Sequence, residues 1–478
     1  MLKASTSLEL VRTVARIALT FMPVILISNA KSRSKMKYAA LHGVPKSEES
    51  KAQALKQIRN RKWLLYGMLL VPMTLFWGTI VASLEKTPLT GRWRMIILSP
   101  EEEDEIASQL AGAGWYNAVT DILTQDGPPT IISNTDWRHV WVEETLRKLE
   151  ATIPILTNEP RMYPQWFDEN QDHPPLPPPA EFPLRPRPRA SEYIRRMCEA
   201  ICEKHRKKDL HDMPHSISGP PYSLLLVDKP DASNAFSYGF GPNGGGGIVV
   251  YSGFINDVLS RVPTIPEPPT RQQKSWWSQF FGGLFSSPPP LRHPTPTPEQ
   301  TSELAILLAH ELAHLVLSHH LESLSSTTVI IPGTISMLTD IIRVVIFPLT
   351  MLFGPFVNDA VAQLGKVGSG ELMKVGEYCT NTRQEIEADV VSARLLAHAG
   401  FDARDAVKFW EVRAGRISEC SRTDIEPAEN KMVRKIMGAT HPVDEMRIEA
   451  LKRELSRWEA ERLAALSRLI SQRDGIRV

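Results

Sequence analysis

Residues 63–84 read WLLYGMLLVPMTLFWGTIVASL, 22 residues without a charge. No other feature limits the fold as strongly. A run this long crosses the hydrocarbon layer of a bilayer, and in lipid a single segment satisfies its own backbone only as a helix. A buried core helix of a globular domain is the alternative, but this run has no polar face. Trp63, Tyr66 and Trp77 suit interfacial positions, and Pro72 is tolerated in a membrane helix. KQIRNRK (56–62) precedes the run, and EEEDE (101–105) lies after it. The positive-inside rule keeps the N-terminus on the basic side and sends residues 85–478 across, as a single-pass protein.

Net charge is only +1, so no nucleic-acid partner is expected. The sum hides an asymmetry: residues 1–62 hold 13 Lys or Arg against 3 acids. Within them VRTVARIALTFMPVILISNA (11–30) reads as a mitochondrial presequence, a secretory signal or a second membrane segment. Glu9 is the sole acid before residue 48, which suits a transit peptide. Cys198, Cys202, Cys379 and Cys420 lack zinc-ribbon spacing and read as buried free thiols. A bridge from Cys198 or Cys202 to either of the others stays open in an oxidising compartment. The glycines of NGGGG (243–247) lack the Lys-Ser/Thr of a phosphate loop and read as a turn between strands.

The chemistry centres on HELAH at 310–314. Positions four apart share a helix face, so His310 and His314 point at one metal, with Glu311 beside it as general base. Thr297, Pro298 and Gln300 form a start signal, a capping box with Pro at the first helical position. The body LAILLAHELAHLVLSHH is apolar nearly all round, which predicts a buried helix. Ionisable groups there need partners, and Zn²⁺, one per chain, supplies one.

A hydrolytic zinc site needs a third protein ligand and an open position. NTRQEIEADVVSARLLAHAG (381–400) reads as a second buried helix, capped near Asn381 or Thr382 and stopped by Gly400. Glu385 and Asp389 share a face, which suits one carboxylate ligand and one that orients a ligand imidazole. The bland alternative has Glu385 closing a capping box with Thr382 and Asp389 solvated.

HELAH followed by EIEAD resembles the HtpX and CAAX-prenyl-protease superfamily of membrane-linked zinc peptidases. TGRWRMIILSPEEEDEIA (90–107), NAFSYGFGPNGGGGIVVYSGFIN (234–256) and THPVDEMRIEAL (440–451) narrow the likeness to mitochondrial inner-membrane peptidases of the Oma type. The resemblance covers roughly residues 88–460. It implies His310, His314 and Glu385 as zinc ligands, Glu311 as base, Asp389 behind the ligands, and His441 reaching the site from the far side. His441 would hold the tetrahedral oxyanion, cap the metal at rest, or simply pack before Pro442. Arg447 either pairs with a site carboxylate or is a solvated helix charge.

The expected fold is α+β and mainly helical: a gluzincin-type peptidase domain with a small sheet beside the HExxH helix, behind a transmembrane helix. The expected order is a basic N-terminal segment and presequence candidate (1–62), the spanning helix (63–84), a helical membrane-proximal region (85–158), a proline-rich, weakly ordered insertion (159–190), and a helix and strand pair (191–262). A proline/aromatic insertion with Trp276, Trp277, Phe280 and Phe281 (263–298), the catalytic region (299–460) and a helix end (461–478) follow. YSLLLVD (222–228) and GIVVYSG (247–253) read as strands, and 328–357 as an apolar hairpin or broken helix. The resulting expectation is an ATP-independent zinc metalloendopeptidase of the mitochondrial inner membrane, facing the intermembrane space. Its partners would be the bilayer, membrane-protein or peptide substrates, and further copies through the C-terminal helix. The rivals are a CAAX-type prenyl-protein endopeptidase of the endoplasmic reticulum and a non-catalytic scaffold with structural zinc.

Overall fold

The computed structural model describes residues 3–43, 47–124, 127–167, 174–187, 219–261, 295–353, 382–420 and 445–475. They fall into two compact units. One is drawn from Met1–Ile106, Pro186–Ser216 and His319–Arg383, the other from Ala107–Arg185, Ile217–Ser318 and Gln384–Val478. In chain order the principal elements are α1 (Ser7–Leu41), α2 (Glu48–Ser83), β1 (Leu84–Lys86), β2 (Trp93–Met95), α3 (Pro100–Leu110), α4 (Ala113–Leu123) and α5 (Trp137–Glu150). There follow β3 (Ser223–Val227), β4 (Ala235–Gly239), β5 (Gly246–Tyr251), α6 (Ser252–Arg261), α7 (Pro298–Val316), α8 (His319–Ser325) and α9 (Ile331–Phe353). The last are α10 (382–398), α11 (Asp405–Cys420) and α12 (Glu445–Gly475). The α+β, mainly helical class is as expected. The aromatic insertion, the helix expected at 191–208, His441 and three of the four cysteines lie outside the described residues.

In the first unit, α2 is a 36-residue helix that begins well before the expected span at residue 63. Among the described residues three helical stretches, Ser7–Leu41, Glu48–Ser83 and His319–Ile342, are long and apolar enough to cross a membrane; only 63–84 was read as a definite span, with 11–30 left open as a second. Large apolar side chains on α2, Trp63, Leu64, Leu70 and Met73 among them, are exposed rather than packed. Of the stretch 328–357, expected as a hairpin or broken helix, Ile331–Phe353 form one continuous helix that follows a π-helical turn at Ser326–Ile330, and 354–357 lie outside the described residues. Just past α2, Glu85 is buried and bonded by Arg94 and Arg187, with Arg187 also gripping Glu103 at 2.9 Å. Burial raises the Glu85 pKa, but the two guanidiniums outweigh it and bring it down to about 2.

In the second unit the sheet runs β3-β5-β4, with β3 parallel and β4 antiparallel to β5. Trp115, Val119 and Leu123 of α4 cover it, packed on Leu225, Phe236, Val249 and Tyr251. Of the glycine run, Asn243 and Gly244 turn the chain with positive φ, as expected of a turn. Gly247 does something else. It lies within β5, where a Cβ would come within 2.6 Å of the Trp115 ring, so its bareness lets the indole lie on the strand. Part of the proline-rich insertion is fastened rather than loose. Ala180 N donates to Glu159 at 2.7 Å, Leu184 N donates to Leu156 O at 2.9 Å, and the Leu184 side chain is buried.

Candidate metal centre

Helix α7 starts as the sequence predicts. Thr297 accepts from Gln300 N at 3.2 Å, Gln300 returns a bond to Thr297 N, and Pro298 occupies the first helical position. From Leu304 to Val316 every residue is buried. This places His310 and Glu311 fully out of solvent and His314 nearly so. The second helix, α10, delivers Glu385 and Asp389, both buried, from one face to the same point.

The two imidazoles meet edge to face, with their Nε2 atoms 3.2 Å apart. The Glu385 carboxylate lies between them, Oε2 at 3.2 Å from His310 Nε2 and Oε1 at 3.4 Å from His314 Nε2. One ligand atom from each of the three residues lies within 4.8 Å of the others. Two imidazole nitrogens and a carboxylate oxygen aimed at one point are the donor set of a hydrolytic zinc site, and these residues fit the metal.

Asp389 sits behind the ligands. Its Oδ1 is 2.9 Å from His310 Nδ1, which leaves Nε2 facing the metal position. Burial opposes charge on His310, but Asp389 and Glu385 outweigh it and raise the imidazole's pKa above the ordinary value. Burial likewise raises Asp389, and Arg447 with His310 overcomes this and lowers it. The solvated alternative for Asp389 therefore fails: the carboxylate is fully enclosed.

Arg447 on α12 resolves its two alternatives in favour of pairing. It is buried, its Nε and Nη2 hold Asp389 at 2.8 and 2.9 Å, and its Nη1 lies 3.0 Å from Glu385. Two carboxylates in one dry cage repel each other, and the guanidinium offsets this while fixing both. Trp410 on α11 was not singled out in the sequence. Its ring packs against His310 at 5.1 Å and lies under the Arg447 guanidinium at 4.7 Å, closing that side of the cage. Further along α10, Arg394 and His398 bond Glu159 at 2.8 and 2.9 Å, which ties the ligand helix down at its other end.

His310, His314, Glu385 and Asp389 are thus brought together, Glu311 is buried next to His310 on α7, and His441 lies outside the described residues. No curated protein and no solved structure matches the chain. The model of peptidase family M48 matches residues 199–455, more than half of it. That stretch contains both ligand helices and Arg447. The members of this family are zinc metalloproteases, many of them bound to membranes. The donor geometry and the family match agree, and the chain belongs to peptidase family M48 as a zinc metallopeptidase.

Proposed function

We propose that the protein is a membrane-anchored endopeptidase of the Oma type, acting without ATP in quality control at the mitochondrial inner membrane. Its substrates would be membrane proteins cut near exposed juxtamembrane segments. The observation that carries the peptidase chemistry is the convergence of His310, His314 and Glu385 within 4.8 Å. Bound zinc supplies a Lewis acid that polarises the scissile carbonyl and makes water nucleophilic near neutral pH.

The chain's own groups do the rest. His310, His314 and Glu385 would hold the ion, and Asp389 with Arg447 fixes the tautomer of His310 and the aim of Glu385. Glu311, next to His310 on the buried face of α7, takes the proton from the attacking water and delivers it to the leaving amine. His441 would hold the oxyanion or cap the metal at rest, as the resemblance implies. β4 is an edge strand packed on α7, so an extended substrate can add to it through main-chain hydrogen bonds. Recognition of that kind reads exposure and extension more than sequence.

The test is a pair of substitutions on full-length protein in membranes. Glu311→Gln should retain stoichiometric zinc and lose cleavage by about 10²-fold or more, the scale of general-base removal. Glu385→Gln should lose zinc itself. Cleavage that survives Glu311→Gln would sink the assignment of the base, and zinc that survives Glu385→Gln would sink the ligand set.

A further inference from the structure

The geometry points to a two-span membrane hairpin built from α1 and α2. It returns the N-terminus to the side on which the polypeptide leaves α2, and the Arg12–Asp340 ion pair locks it to α9. This makes α1 a permanent part of the fold and replaces both the presequence and the single-pass reading. It is independent of the proposed proteolytic role.

Three sets of contacts carry it, all within the first unit. At one end of the hairpin, Arg61 of α2 donates to Ser32 of α1 at 3.3 Å. At the other, Ser5 N donates to Glu102 at 3.0 Å and Lys3 lies 3.8 Å from Glu103, on the segment reached after α2 ends. The two helices are therefore antiparallel, with their outer ends together. Along α1, Leu8, Val11, Ala18 and Ile25 form a buried seam, the last three seven residues apart. Leu10, Ile17, Phe21, Val24 and Ile27 are exposed on its other sides. An apolar surface of that extent is untenable in water and ordinary in lipid. α1 is 35 residues long, about 52 Å at the helical rise, which exceeds the hydrocarbon thickness.

The ion pair gives the hairpin its attachment. Arg12 Nε donates to Asp340 at 3.0 Å, and Arg16 lies 3.6 Å from the same oxygen. Asp340 is buried on α9. Close to it, Gly333 lets α1 approach so nearly that a Cβ there would stand 3.4 Å from Leu8 Cβ. A charged residue on an apolar helix is costly unless paired, so α1 without α9, or α9 without α1, would carry an uncompensated charge. A cleaved presequence would not be built into such a pair.

Charge sets the orientation. Lys31, Arg33, Lys35 and Lys37 close α1, and Arg59, Arg61 and Lys62 lie on the first half of α2. All sit toward the turn of the hairpin, so that turn takes the positive side of the bilayer. No helix described between residues 84 and 316 is long and apolar enough to cross. Within the first unit, the hairpin therefore puts Thr6 and Ser47 on opposite sides of the bilayer.

The experiment uses the full chain with its four cysteines changed to serine, reconstituted into phosphatidylcholine–cardiolipin vesicles and captured through a C-terminal tag to fix the orientation. Single cysteines at Thr6, Ser47 and Ser471 are treated with a membrane-impermeant maleimide. Ser471 reports the captured face, and Thr6 and Ser47 are expected to differ, one labelled and the other protected. Labelling of both Thr6 and Ser47, or protection of both, overturns the hairpin. Two further readouts guard against misfolding. A Leu8→Cys/Gly333→Cys pair should oxidise to a disulfide, and Arg12→Asp should abolish that crosslink while Arg12→Asp with Asp340→Arg restores it. No crosslink in the unmutated pair, or no rescue by the swap, removes the lock. Mass measurement of the protein from its native membrane should find α1 present; a mature form starting beyond Leu41 would overturn its permanence.

Discussion

Helices α2 and α7 look alike in sequence and live in different solvents. Both are apolar nearly all round where it matters. In α7 the result is burial: Leu304 to Val316 pack inside protein, and His310 and His314 are carried in with them. In α2 the result is exposure: Leu70 is 62% and Trp63 70% accessible, with lipid as the medium that accounts for them. Length separates the two, 19 residues against 36. Their ends differ as well. α7 opens on a neutral capping box, whereas α2 closes into a buried ionic cluster around Glu85. All-round apolarity thus announces removal from water and leaves open what replaces the water.

The largest effect that would break this contrast is in the bodies of the helices. Leu308→Ala should cost the second unit about 2–5 kcal/mol, the range for emptying a packed leucine site, seen as a lowered Tm. Leu70→Ala should leave the Tm in detergent nearly unchanged. Equal losses at both positions would mean that α2 is packed against protein after all.

The next effect sharpens the contrast between the ends. Glu85 is held at about 2, below the ordinary 4.5. A depressed carboxyl stabilises fully above its unfolded pKa and loses that contribution as pH falls toward 2. The contribution is on the order of 3 kcal/mol. Acid unfolding between pH 4.5 and 2 should therefore flatten in Glu85→Gln, followed by tryptophan fluorescence. An unchanged acid limb would place the titrating group elsewhere. The smallest effect is at α7's start, where Thr297→Ala should cost about 1 kcal/mol with no dependence on pH across the same range.

The core of the metal site was legible because its rules are local. The spacing of His310 and His314, the pairing of Glu385 with Asp389 and the Thr297–Gln300 box each lie within one or two helical turns. Arg447 stayed ambiguous because its partner Asp389 is 58 residues away, and no local pattern distinguishes a buried arginine from a solvated one. Trp410 carried no signal at all, since an aromatic on a helix is ordinary core until the fold sets it against His310. The α1–α2 hairpin was hidden by the basic residues of α1. Arg12 and Arg16 suggested a transit peptide, and only the position of Asp340 on a distant helix gives those charges a structural purpose. The fastened proline-rich stretch escaped notice because prolines lack both helical periodicity and a donor. Its anchors, Ala180 and Leu184, use the few amide groups that remain.

The capping box at α7 has one more consequence. Thr297 and Gln300 satisfy each other's backbone groups, so the first turn of α7 is set largely by its own residues, with one further bond from Gln300 Nε2 to Leu259 O at 3.4 Å. The stretch immediately upstream is thus a permissive junction. Reporter peptides or whole folded modules spliced in ahead of Thr297 should leave His310 and His314 in register, and lineages would be free to vary the length there without disturbing catalysis.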